Sequence, residues 1–460
     1  MPAVHSQPYN IRRRVCLTMG YSELVQWMFN LERFGIKLGL ENMTEYLSRI
    51  EDPHKSFRSV HVTGTNGKGS VCAFLASILE ESGLKVGLYT SPHLVDFRER
   101  IRINGRMISE KDVVRLGNEL RVTMEGMAKE SGEQQLTFFE FTTGLAFKYF
   151  SEQCVDIAVV EVGMGGRLDA TNVISPEVSA ITRIGLEHTA YLGNTMEEVA
   201  REKAGIVKTG VPVVCSDRNS ESLSVIRSAC ARKKSKLSLV GKDFGAGNVI
   251  ARADGTSFDY DGRTRILGLS TRLIGVHQAE NAATAIAVTE QMNAAGYAIS
   301  ESSMREGVAK TKLSGRLDIW SKDPLVILDG SHNPEGVRTT VSVLDSLGLT
   351  PLTFVLACMD DKDGLGIIAG LAPYASRMVI TEVKTGRSIK AAQLAILARQ
   401  SFDGEVSVEE NVQDAMTSAL SNATGEGVCA IGSFYLVGDV MRWLGTPDLD
   451  HVDEVGARKV

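Results

Sequence analysis

The chain has 460 residues with a formal net charge of −6, and 43% of its residues are hydrophobic and 23% charged. This length favours two domains with buried cores, and the acidic balance excludes a general attraction to nucleic acid, so small charged metabolites are the expected partners. The dispersed cysteines without a CxxC pair, the lack of an apolar run long enough for a membrane span and the lack of a signal-peptide core predict a cytoplasmic protein without membrane contact.

The first half of the chain alternates apolar runs with helical patterns. "SVHVTG" predicts a strand, "SVCAFLASILEESG" has apolar residues at helical spacing and ends near Gly83, and "KVGLYTS" predicts the next strand. Further strands are predicted at 156–163, 178–185 and 211–216, with a helix in "TMEEVAREKAGIV". This order indicates a mainly parallel sheet covered by helices.

The pattern changes after about residue 250. "SFDYDGRTRILGL" places Asp261-Gly262 between alternating residues, which predicts a hairpin with a tight turn and so a small β appendage. "QAENAATAIAVTEQM" predicts a helix, and residues 310–324 are interpreted as a link. From residue 325, "LVILDG", "LTFVLAC", "RMVITEV" and "GVCAIGSFYLVG" are separated by helical segments such as "EGVRTTVSVLDSLG", which predicts a second, smaller α/β domain.

These patterns divide the chain into four parts. We predict a disordered N-terminus at 1–20, a first domain at 21–312, a second domain at 313–445 and a polar tail at 446–460.

The segment "HVTGTNGKGSV", residues 61–71, is a glycine-rich turn between a predicted strand and a predicted helix. It departs from the pattern GxxxxGK[ST], because Val62 stands where the first glycine is expected and Gly69 follows the lysine. The glycines still expose backbone N–H groups at a helix N-terminus, where a polyphosphate binds well. A flexible turn would explain the glycines but not Lys68 between them, so the segment predicts nucleotide binding.

Three further residues are candidates for chemistry. Glu161 lies near the carboxyl end of a predicted strand, where ligands bind in open α/β sheets, and a carboxylate among valines is costly to bury without a cation. Mg²⁺ beside a nucleotide is the natural candidate, and a structural ion pair is the alternative. His188 follows another predicted strand, although a single histidine is usually structural and imidazole is an uncommon Mg²⁺ ligand. Lys203 could equally lie on a solvated helix face.

A series of motifs extends these local patterns along most of the chain. In order they are "FGIKLGLENM", "HVTGTNGKGS", "YTSPHL", "ERIRINGR", "TFFEFTT", "EVGMGGRLDATN", "LEHTAYLG", "EKAGIVK", "NAATA", "SGRLD" and "DGSHNP". From about residue 20 to 445 the sequence resembles the folylpolyglutamate synthases and dihydrofolate synthases of the ATP-dependent Mur ligase superfamily. The resemblance implies a P-loop-type, mainly parallel sheet ATPase domain with a small β appendage, followed by a smaller Rossmann-like α/β domain.

The resemblance also implies ATP and Mg²⁺ as cofactors. The matching nucleotide-binding positions are Gly64, Thr65, Asn66, Gly67, Lys68, Gly69, Ser70, Asn281, Arg316 and Asp329. Ser91, Glu161 and His188 match metal ligands, and Lys203 matches a lysine that becomes a carbamate in the family. The expected catalytic set is Lys68, Lys203, His188, Arg316 and His332. For His332 an alternative remains, because "SHNPEG" is also a good helix start with Asn333 as its cap and Pro334 in the first turn.

The same resemblance implies a site for a pterin-bearing substrate. Its positions are Lys37, Leu38, Gly39, Leu40, Thr137, Phe138, Phe139, Glu140, Leu168, Asp169 and Ala170. Phe138 and Phe139 offer a flat apolar surface for a pterin or aminobenzoyl ring, and the alternative is that they are core residues. Two positions depart from the family pattern: Glu187 stands where aspartate is common, and Ser314 stands where proline is common and would restrict the interdomain link.

The expected reaction is ATP-dependent addition of L-glutamate to a reduced folate through an acyl phosphate. A second activity, the joining of L-glutamate to dihydropteroate, is also expected, and the protein is expected to be a monomer. One alternative is a Mur-type ligase acting on another carboxylate acceptor, against which "KLGL" and "TFFE" argue. The other is a phosphate-loop NTPase that acts as a conformational switch, which leaves "LDATN" and "DGSHNP" without a purpose.

Overall fold

The first half of the chain is organised by an eight-stranded sheet in the order β4-β3-β2-β5-β1-β6-β7-β8. We describe it from a computed structural model, which covers residues 18–35, 39–131, 136–423 and 427–445. The strands are β1 Arg58–Thr63, β2 Val86–Tyr89, β3 Ile101–Ile103, β4 Arg106–Met107, β5 Ile157–Glu161, β6 Val178–Ile181, β7 Val213–Cys215 and β8 Leu237–Leu239. The pairs β2–β3 and β3–β4 are antiparallel and the other five pairs are parallel, so the predicted mainly parallel sheet is confirmed.

Helices cover both faces of this sheet. They are α1 Tyr21–Asn30, α2 Glu41–Arg49, α3 Lys68–Glu81, α4 Glu110–Ser131, α5 Phe138–Glu152, α6 Thr189–Leu192, α7 Met196–Lys203 and α8 Ser220–Arg232. Val71, Phe74, Leu75, Ile78 and Leu79 form the predicted apolar face of α3 and are fully buried against the sheet. On the other face, α1, α2, α4 and α5 share a second core with β2 and β5. Burial on both faces explains why the central strands consist almost entirely of apolar residues.

The predicted appendage is a three-stranded antiparallel sheet of β9 Gly245–Arg252, β10 Gly255–Asp261 and β11 Arg265–Thr271. The hairpin at Asp261-Gly262 is confirmed, and its connection has three residues because Asp261 pairs with Arg265. Phe258 and Tyr260 pack the appendage into the core that contains α3. The same core includes the next helices, α9 Val276–Ala294 and α10 Glu301–Lys310.

The remainder of the chain forms a six-stranded sheet in the order β12-β13-β17-β14-β15-β16. Its strands are β12 Asp318–Lys322, β13 Leu325–Asp329, β14 Leu352–Leu356, β15 Ala375–Ile380, β16 Glu405–Val408 and β17 Val428–Ile431. Its helices are α11 Pro334–Ser346, α12 Gly364–Leu371, α13 Ala391–Ser401, α14 Val412–Asn422 and α15 Phe434–Leu444. All strands except the edge strand β12 pair in parallel, as expected for a smaller Rossmann-like α/β domain.

Two details of the sequence interpretation need correction. Residues 310–324 are not only a link, because β12 lies within them and pairs with β13. The run "GVCAIGSFYLVG" is not one strand, because Ser433 accepts a hydrogen bond from the Tyr435 N–H at 3.1 Å and begins α15. Of the predicted terminal segments 1–20 and 446–460, residues 1–17 and 446–460 lie outside the described residues. The domain boundary at 312/313 stays a prediction, and no described helix is long and apolar enough to cross a membrane.

The eight-stranded sheet with its helices and the six-stranded sheet with its helices form two sheet systems. They meet where α15 packs on the segment after β2. Leu94 and Val95 pack against the core formed by β13, β17, α14 and α15. Arg442 donates from Nη1 to the Val95 carbonyl at 3.1 Å. A Cβ added at Gly438 would overlap the backbone oxygen of Leu94, so the absence of a side chain permits this close approach.

We expect Gly438→Ala to lower the free energy of unfolding by about 1–3 kcal/mol, because the added methyl group forces α15 away from Leu94. The matched control is Gly126→Ala in α4, where no atom lies within 4 Å of the added Cβ. It should raise stability by up to about 1 kcal/mol, because alanine has the better helix propensity. Urea denaturation of both variants measures the difference, and equal effects would show that the contact with Leu94 is unimportant.

Candidate functional site

The phosphate-type loop connects β1 to α3 and is fixed on several sides. Gly64 and Gly67 have φ angles of 151° and 94°, which residues with a side chain rarely adopt. A Cβ at Gly67 would lie 2.6 Å from Asn281 Oδ1, so α9 packs directly on the loop. The Thr65 N–H donates to the Arg183 carbonyl at 2.7 Å, and this bond ties the loop to the segment after β6. The altered glycine pattern therefore forms a defined strand–loop–helix turn.

Lys68 is turned back into this loop. Its Nζ donates to the carbonyls of Gly64 at 2.9 Å and Thr65 at 3.2 Å. A Cβ at Gly69 would lie 3.9 Å from both carboxylate oxygens of Glu161. The loop, its lysine and Glu161 are therefore neighbours at one end of the sheet, as the sequence predicts.

Glu161 ends β5 and is only 4% exposed. One carboxylate oxygen accepts from the Ser91 N–H at 3.1 Å. Burial raises the pKa of this carboxyl, while Lys68, the Ser91 amide and Arg316 act in the opposite direction. No direct ion pair of Glu161 is recorded within the described ranges, which argues against the structural ion pair as its role.

Lys203 is a buried cation and not part of a solvated helix face. It is 1% exposed, and its Nζ donates to the Gly64 carbonyl at 2.8 Å and to Glu187 Oε1 at 2.6 Å. Burial lowers the pKa of Lys203, with the carboxylate of Glu187 opposing that change. Burial would raise the pKa of Glu187, but the cations of Lys203 and Lys68 outweigh it and hold the pKa below its usual range. The longer side chain at position 187 thus still supplies the expected carboxylate.

His188 lies at the contact between the two sheet systems. Its Nε2 is 3.4 Å from Lys362 Nζ, and its Nδ1 is 3.6 Å from Asp361 Oδ2, both in the segment after β14. Burial, with Lys362 adding to its effect, lowers the pKa of His188 to about 4, so its ring is neutral at physiological pH. In this arrangement the imidazole faces the second sheet system.

A cleft lies between the two sheet systems. Of the predicted nucleotide-binding residues, it is lined by Asn66, Gly67, Ser70, Asn281, Arg316 and Asp329. Gly64, Thr65, Lys68 and Gly69 belong to the same loop but are not among its lining residues. The fold therefore brings residues separated by more than 200 positions into one cleft.

Arg316 and Asp329 occupy the second-domain wall of this cleft. The Arg316 guanidinium lies 4.4 Å from the centre of the Phe434 ring. Asp329 accepts hydrogen bonds from the Leu317 N–H at 2.7 Å and the Ser331 N–H at 3.0 Å. Asp329 thereby holds the turn before β12 and the turn after β13, and Ser314 is exposed.

The segment around His332 begins α11, as the helix-start interpretation predicts. Asn333 Oδ1 accepts from the Gly336 N–H at 2.8 Å, and Pro334 occupies the first turn. Burial lowers the pKa of His332 to about 4, and its Nδ1 lies 2.9 Å from the Gly330 carbonyl. A catalytic role for His332 stays a prediction.

The predicted pterin-site residues differ in their burial and in their hydrogen bonds. Phe138 is 7% exposed and stacks on Phe29 with ring centres 5.2 Å apart, so it is a core residue, whereas Phe139 is only partly buried. Thr137 and Glu140 form the capping box of α5, in which the backbone N–H of each residue donates to the side chain of the other. Asp169 accepts from the N–H groups of Met164 and Thr171. Gly39, Leu40, Leu168 and Ala170 are half-buried or buried, and Lys37 and Leu38 lie outside the described residues.

Comparison with known proteins decides the family. A model of the Mur ligase middle domain matches residues 62–289, and a model of the Mur ligase glutamate ligase domain matches 315–434. The dihydrofolate synthase/folylpolyglutamate synthase of Bacillus subtilis is 35% identical over 433 residues, covering 92% of this chain and 99% of the relative. The chain belongs to the folylpolyglutamate synthase and dihydrofolate synthase family of Mur ligases. It is accordingly an ATP-dependent ligase.

Solved structures of the family have the same fold. The folylpolyglutamate synthase of Thermotoga maritima is 36% identical, with a TM-score of 0.81 over 93% of this chain and 97% of that one. The Mycobacterium tuberculosis folylpolyglutamate synthase, complexed with ADP and AMPPCP, is 30% identical, with a TM-score of 0.87 over 92% of this chain and 98% of that one. These similarities confirm the predicted family and fold class.

Sequence reasoning missed residues that join the family's two domains at the cleft. Asn333 Nδ2 donates to Asn66 Oδ1 at 3.0 Å, and Asn66 Nδ2 donates to Glu335 Oε2 at 3.3 Å. Lys362, which is 12% exposed, comes from the loop after β14. The position of that loop after a buried strand was an available signal for Lys362. The Asn66 contact had no comparable signal, because it joins residues far apart in the chain.

We expect Lys203→Met to lower the free energy of unfolding by about 3–5 kcal/mol, because it leaves the Glu187 carboxylate buried without its cation. Adding Glu187→Gln should restore part of this loss. The control is Lys208→Met, which removes a bond to the Asn172 carbonyl but leaves no buried carboxylate unpaired, and should cost about 1 kcal/mol. Denaturant unfolding of all three variants measures the coupling, and a double variant less stable than Lys203→Met would contradict it.

Proposed function

We propose that this ligase adds L-glutamate to a reduced folate through an acyl phosphate, and that it also joins L-glutamate to dihydropteroate. The observation that carries the proposal is the interdomain cleft, in which the phosphate loop meets Asn333 and Arg316 of the second domain. The names of the relatives, which include both dihydrofolate synthase and folylpolyglutamate synthase, supply the choice of substrates.

The need for ATP follows from the chemistry of the acceptor. A carboxylate is resonance-stabilised and would have to expel oxide to become an amide directly. Transfer of the ATP γ-phosphoryl group to its oxygen gives an acyl phosphate, from which phosphate leaves when the glutamate amine attacks the carbonyl carbon. The amine loses a proton in this step, and the products are amide, ADP and phosphate.

The phosphate loop and the second domain would hold the nucleotide from two sides. The N-terminus of α3 and the loop amides offer positive potential to the phosphates. Asn281 and Asp329 would contact the nucleoside part, and Arg316 and Lys68 would balance charge on the transferred group. The wall of the cleft that carries Arg316 belongs to the second domain, so phosphoryl transfer requires both domains to be in contact.

The donor set beside the loop suits Mg²⁺. Glu161 supplies a buried carboxylate that has no salt bridge among the described residues, and its contact with the Ser91 N–H brings Ser91 next to it. The hydroxyls of Ser91 and Ser70 are further candidate donors, whereas His188 faces Lys362. The described residues contain no group of three or more His, Cys, Asp and Glu side chains that could hold a metal. A hard cation here would therefore rely on Glu161, hydroxyls and phosphate oxygens, as Mg²⁺ commonly does with nucleotides. When bound, Mg²⁺ would neutralise phosphate charge and orient the nucleotide.

Lys203 and Lys362 would act on opposite sides of the cleft. We propose Lys203 as the site of carbamylation, because burial lowers the pKa of its ammonium group and favours the neutral amine. Addition of CO₂ to that amine, with loss of a proton, would give an anionic oxygen ligand. Unmodified Lys203 anchors the loop through Gly64 and Glu187. Lys362, beside His188 and near His332, is a cation suited to a carboxylate of the incoming glutamate.

The acceptor would lie near Phe139, Leu168 and the capping box at Thr137. Ring stacking against the partly buried Phe139 would favour a flat aminobenzoyl or pterin group. We further propose that the protein acts as a cytoplasmic monomer on these small molecules, and not on nucleic acid or a membrane. A Mur-type acceptor and a switch NTPase are the competing functions.

Product mass spectrometry tests the proposal. Purified protein is incubated with ATP, Mg²⁺ and L-glutamate, and with dihydropteroate or tetrahydrofolate in separate reactions. We expect a mass increase of one glutamyl residue on both acceptors. A product with one acceptor alone would assign a single activity, and ATP consumption with neither product would favour one of the competing functions.

We expect Lys68→Ala to lower ligase turnover by about 100-fold or more, because the charge beside the transferred phosphoryl group is lost. Lys55→Ala is the matched control, because Lys55 is an exposed surface residue paired with Asp52. Turnover within a few-fold of wild type in Lys68→Ala would rule out the proposed role of this ammonium group.

A further inference from the structure

Arg100 is a buried cation without a salt bridge in the parts of the chain that the structure describes. It is 5% exposed, and its Nε donates to His93 Nδ1 at 2.8 Å. Within the described parts of the chain, no carboxylate oxygen lies within the 4.0 Å of a salt bridge, and no hydrogen bond is recorded from its two terminal nitrogens. Its guanidinium therefore has donors available for a ligand.

Glu32 and Glu99 act on Arg100 electrostatically but form no salt bridge with it. The carboxylates closest to it along the chain, Glu99 and Asp96, have other partners. Glu99 accepts from the backbone N–H groups of Leu94, Val95 and Asp96 at 2.7–3.0 Å. Asp96 pairs with Arg98 at 3.1 Å. Neither can turn towards Arg100 without leaving a backbone donor or another arginine unpaired.

A buried arginine without a salt bridge favours an anionic ligand from outside the protein. Guanidinium does not lose its proton in proteins, so it cannot escape burial by becoming neutral. An uncompensated buried charge is expensive, and a planar carboxylate matches the arginine fork with two parallel hydrogen bonds. A carboxylate ligand is therefore the natural partner.

The surroundings of Arg100 connect it to the acceptor site. Its guanidinium lies 5.1 Å from the centre of the Phe138 ring, which stacks on Phe29. On another side the Arg100 carbonyl accepts from the Thr90 N–H at 3.0 Å, and the adjacent Ser91 N–H donates to Glu161 at 3.1 Å. Arg100 thus contacts an aromatic cluster and bonds to the segment that reaches Glu161.

We propose that Arg100 binds a carboxylate of the acceptor that does not react, and so favours acceptors that carry a second carboxylate. The inference rests on the proposed function. A reacting carboxylate becomes a neutral amide, which would leave Arg100 without an anion in the product complex. A carboxylate that does not react keeps its charge throughout turnover, so it can remain paired with the buried arginine.

His93 is a positioning residue for this arginine. Because Arg100 Nε donates to Nδ1, the His93 ring must be neutral with its proton on Nε2. Burial, reinforced by Arg100, lowers the pKa of His93 to about 3, so the acceptor atom persists at physiological pH. The bond leaves both terminal nitrogens of Arg100 for the ligand.

The test compares tetrahydropteroate with tetrahydrofolate, which share a ring system and differ by one glutamyl residue. Dissociation constants are measured by calorimetry with a non-hydrolysable ATP analogue present. Arg100→Met should weaken tetrahydrofolate binding about 10- to 100-fold and change tetrahydropteroate binding less than about threefold. The matched control, Arg102→Met, removes a nearby arginine that donates to the Glu99 carbonyl, and should leave both constants unchanged.

An unchanged affinity for tetrahydrofolate, or an equal loss for both acceptors, would overturn the proposal. If tetrahydropteroate binds too weakly to measure, the tetrahydrofolate constant decides alone. His93→Leu should reproduce the selective loss, and His93→Asn, which keeps an acceptor near the Nδ1 position, should restore most of it. Failure of the proposed function would appear separately, as the absence of glutamylated product from wild-type protein with either acceptor.

Discussion

The candidate site depends on one buried ammonium group. Lys203 joins three parts of the chain, because it extends from the end of α7 to the Gly64 carbonyl of the phosphate loop and to Glu187 after β6. A lysine with 1% exposure is tolerated only with such partners. Lys68 donates to the same Gly64 carbonyl, so both lysines hold the loop at this position. The same lysine is the residue we propose for carbamylation, so stability and chemistry are linked at this position.

The second constraint is the meeting of two domains at the loop. Asn66 contacts Asn333 and Glu335 at the start of α11, and His188 contacts Asp361 and Lys362. These contacts form the cleft from residues that neither domain could supply alone. An acyl phosphate is sensitive to water, and a site enclosed between two domains protects it during attack by the amine. We propose that Arg100 extends the same principle, with a ligand carboxylate as its partner.

The fold and the core of the site could largely be predicted from the sequence. The spacing of apolar residues was sufficient to predict β1, β5, α3 and the loop between β1 and α3. The position of Glu161 at the end of β5 was sufficient to predict that it lies at the site. Two errors came from short segments: β12 was interpreted as part of a link, and the start of α15 was merged with β17, because apolar runs do not distinguish a strand from a buried helix. The burial of Lys203, the turn of His188 towards Lys362 and the unpaired Arg100 could not be predicted, because each depends on which distant side chains the fold brings together. The resemblance named the first two residues but not their contacts.

Transfer of oxygen from the acceptor carboxylate to phosphate tests most directly whether the ligase reaction passes through an acyl phosphate. The carboxylate of tetrahydrofolate that accepts the new glutamate is labelled with ¹⁸O, and the released phosphate is analysed by mass spectrometry after a single turnover. An acyl phosphate intermediate predicts that each phosphate carries one labelled oxygen, because the bond broken by the amine lies between the carbonyl carbon and that oxygen. Phosphate without label, formed together with the glutamylated product, would contradict the account.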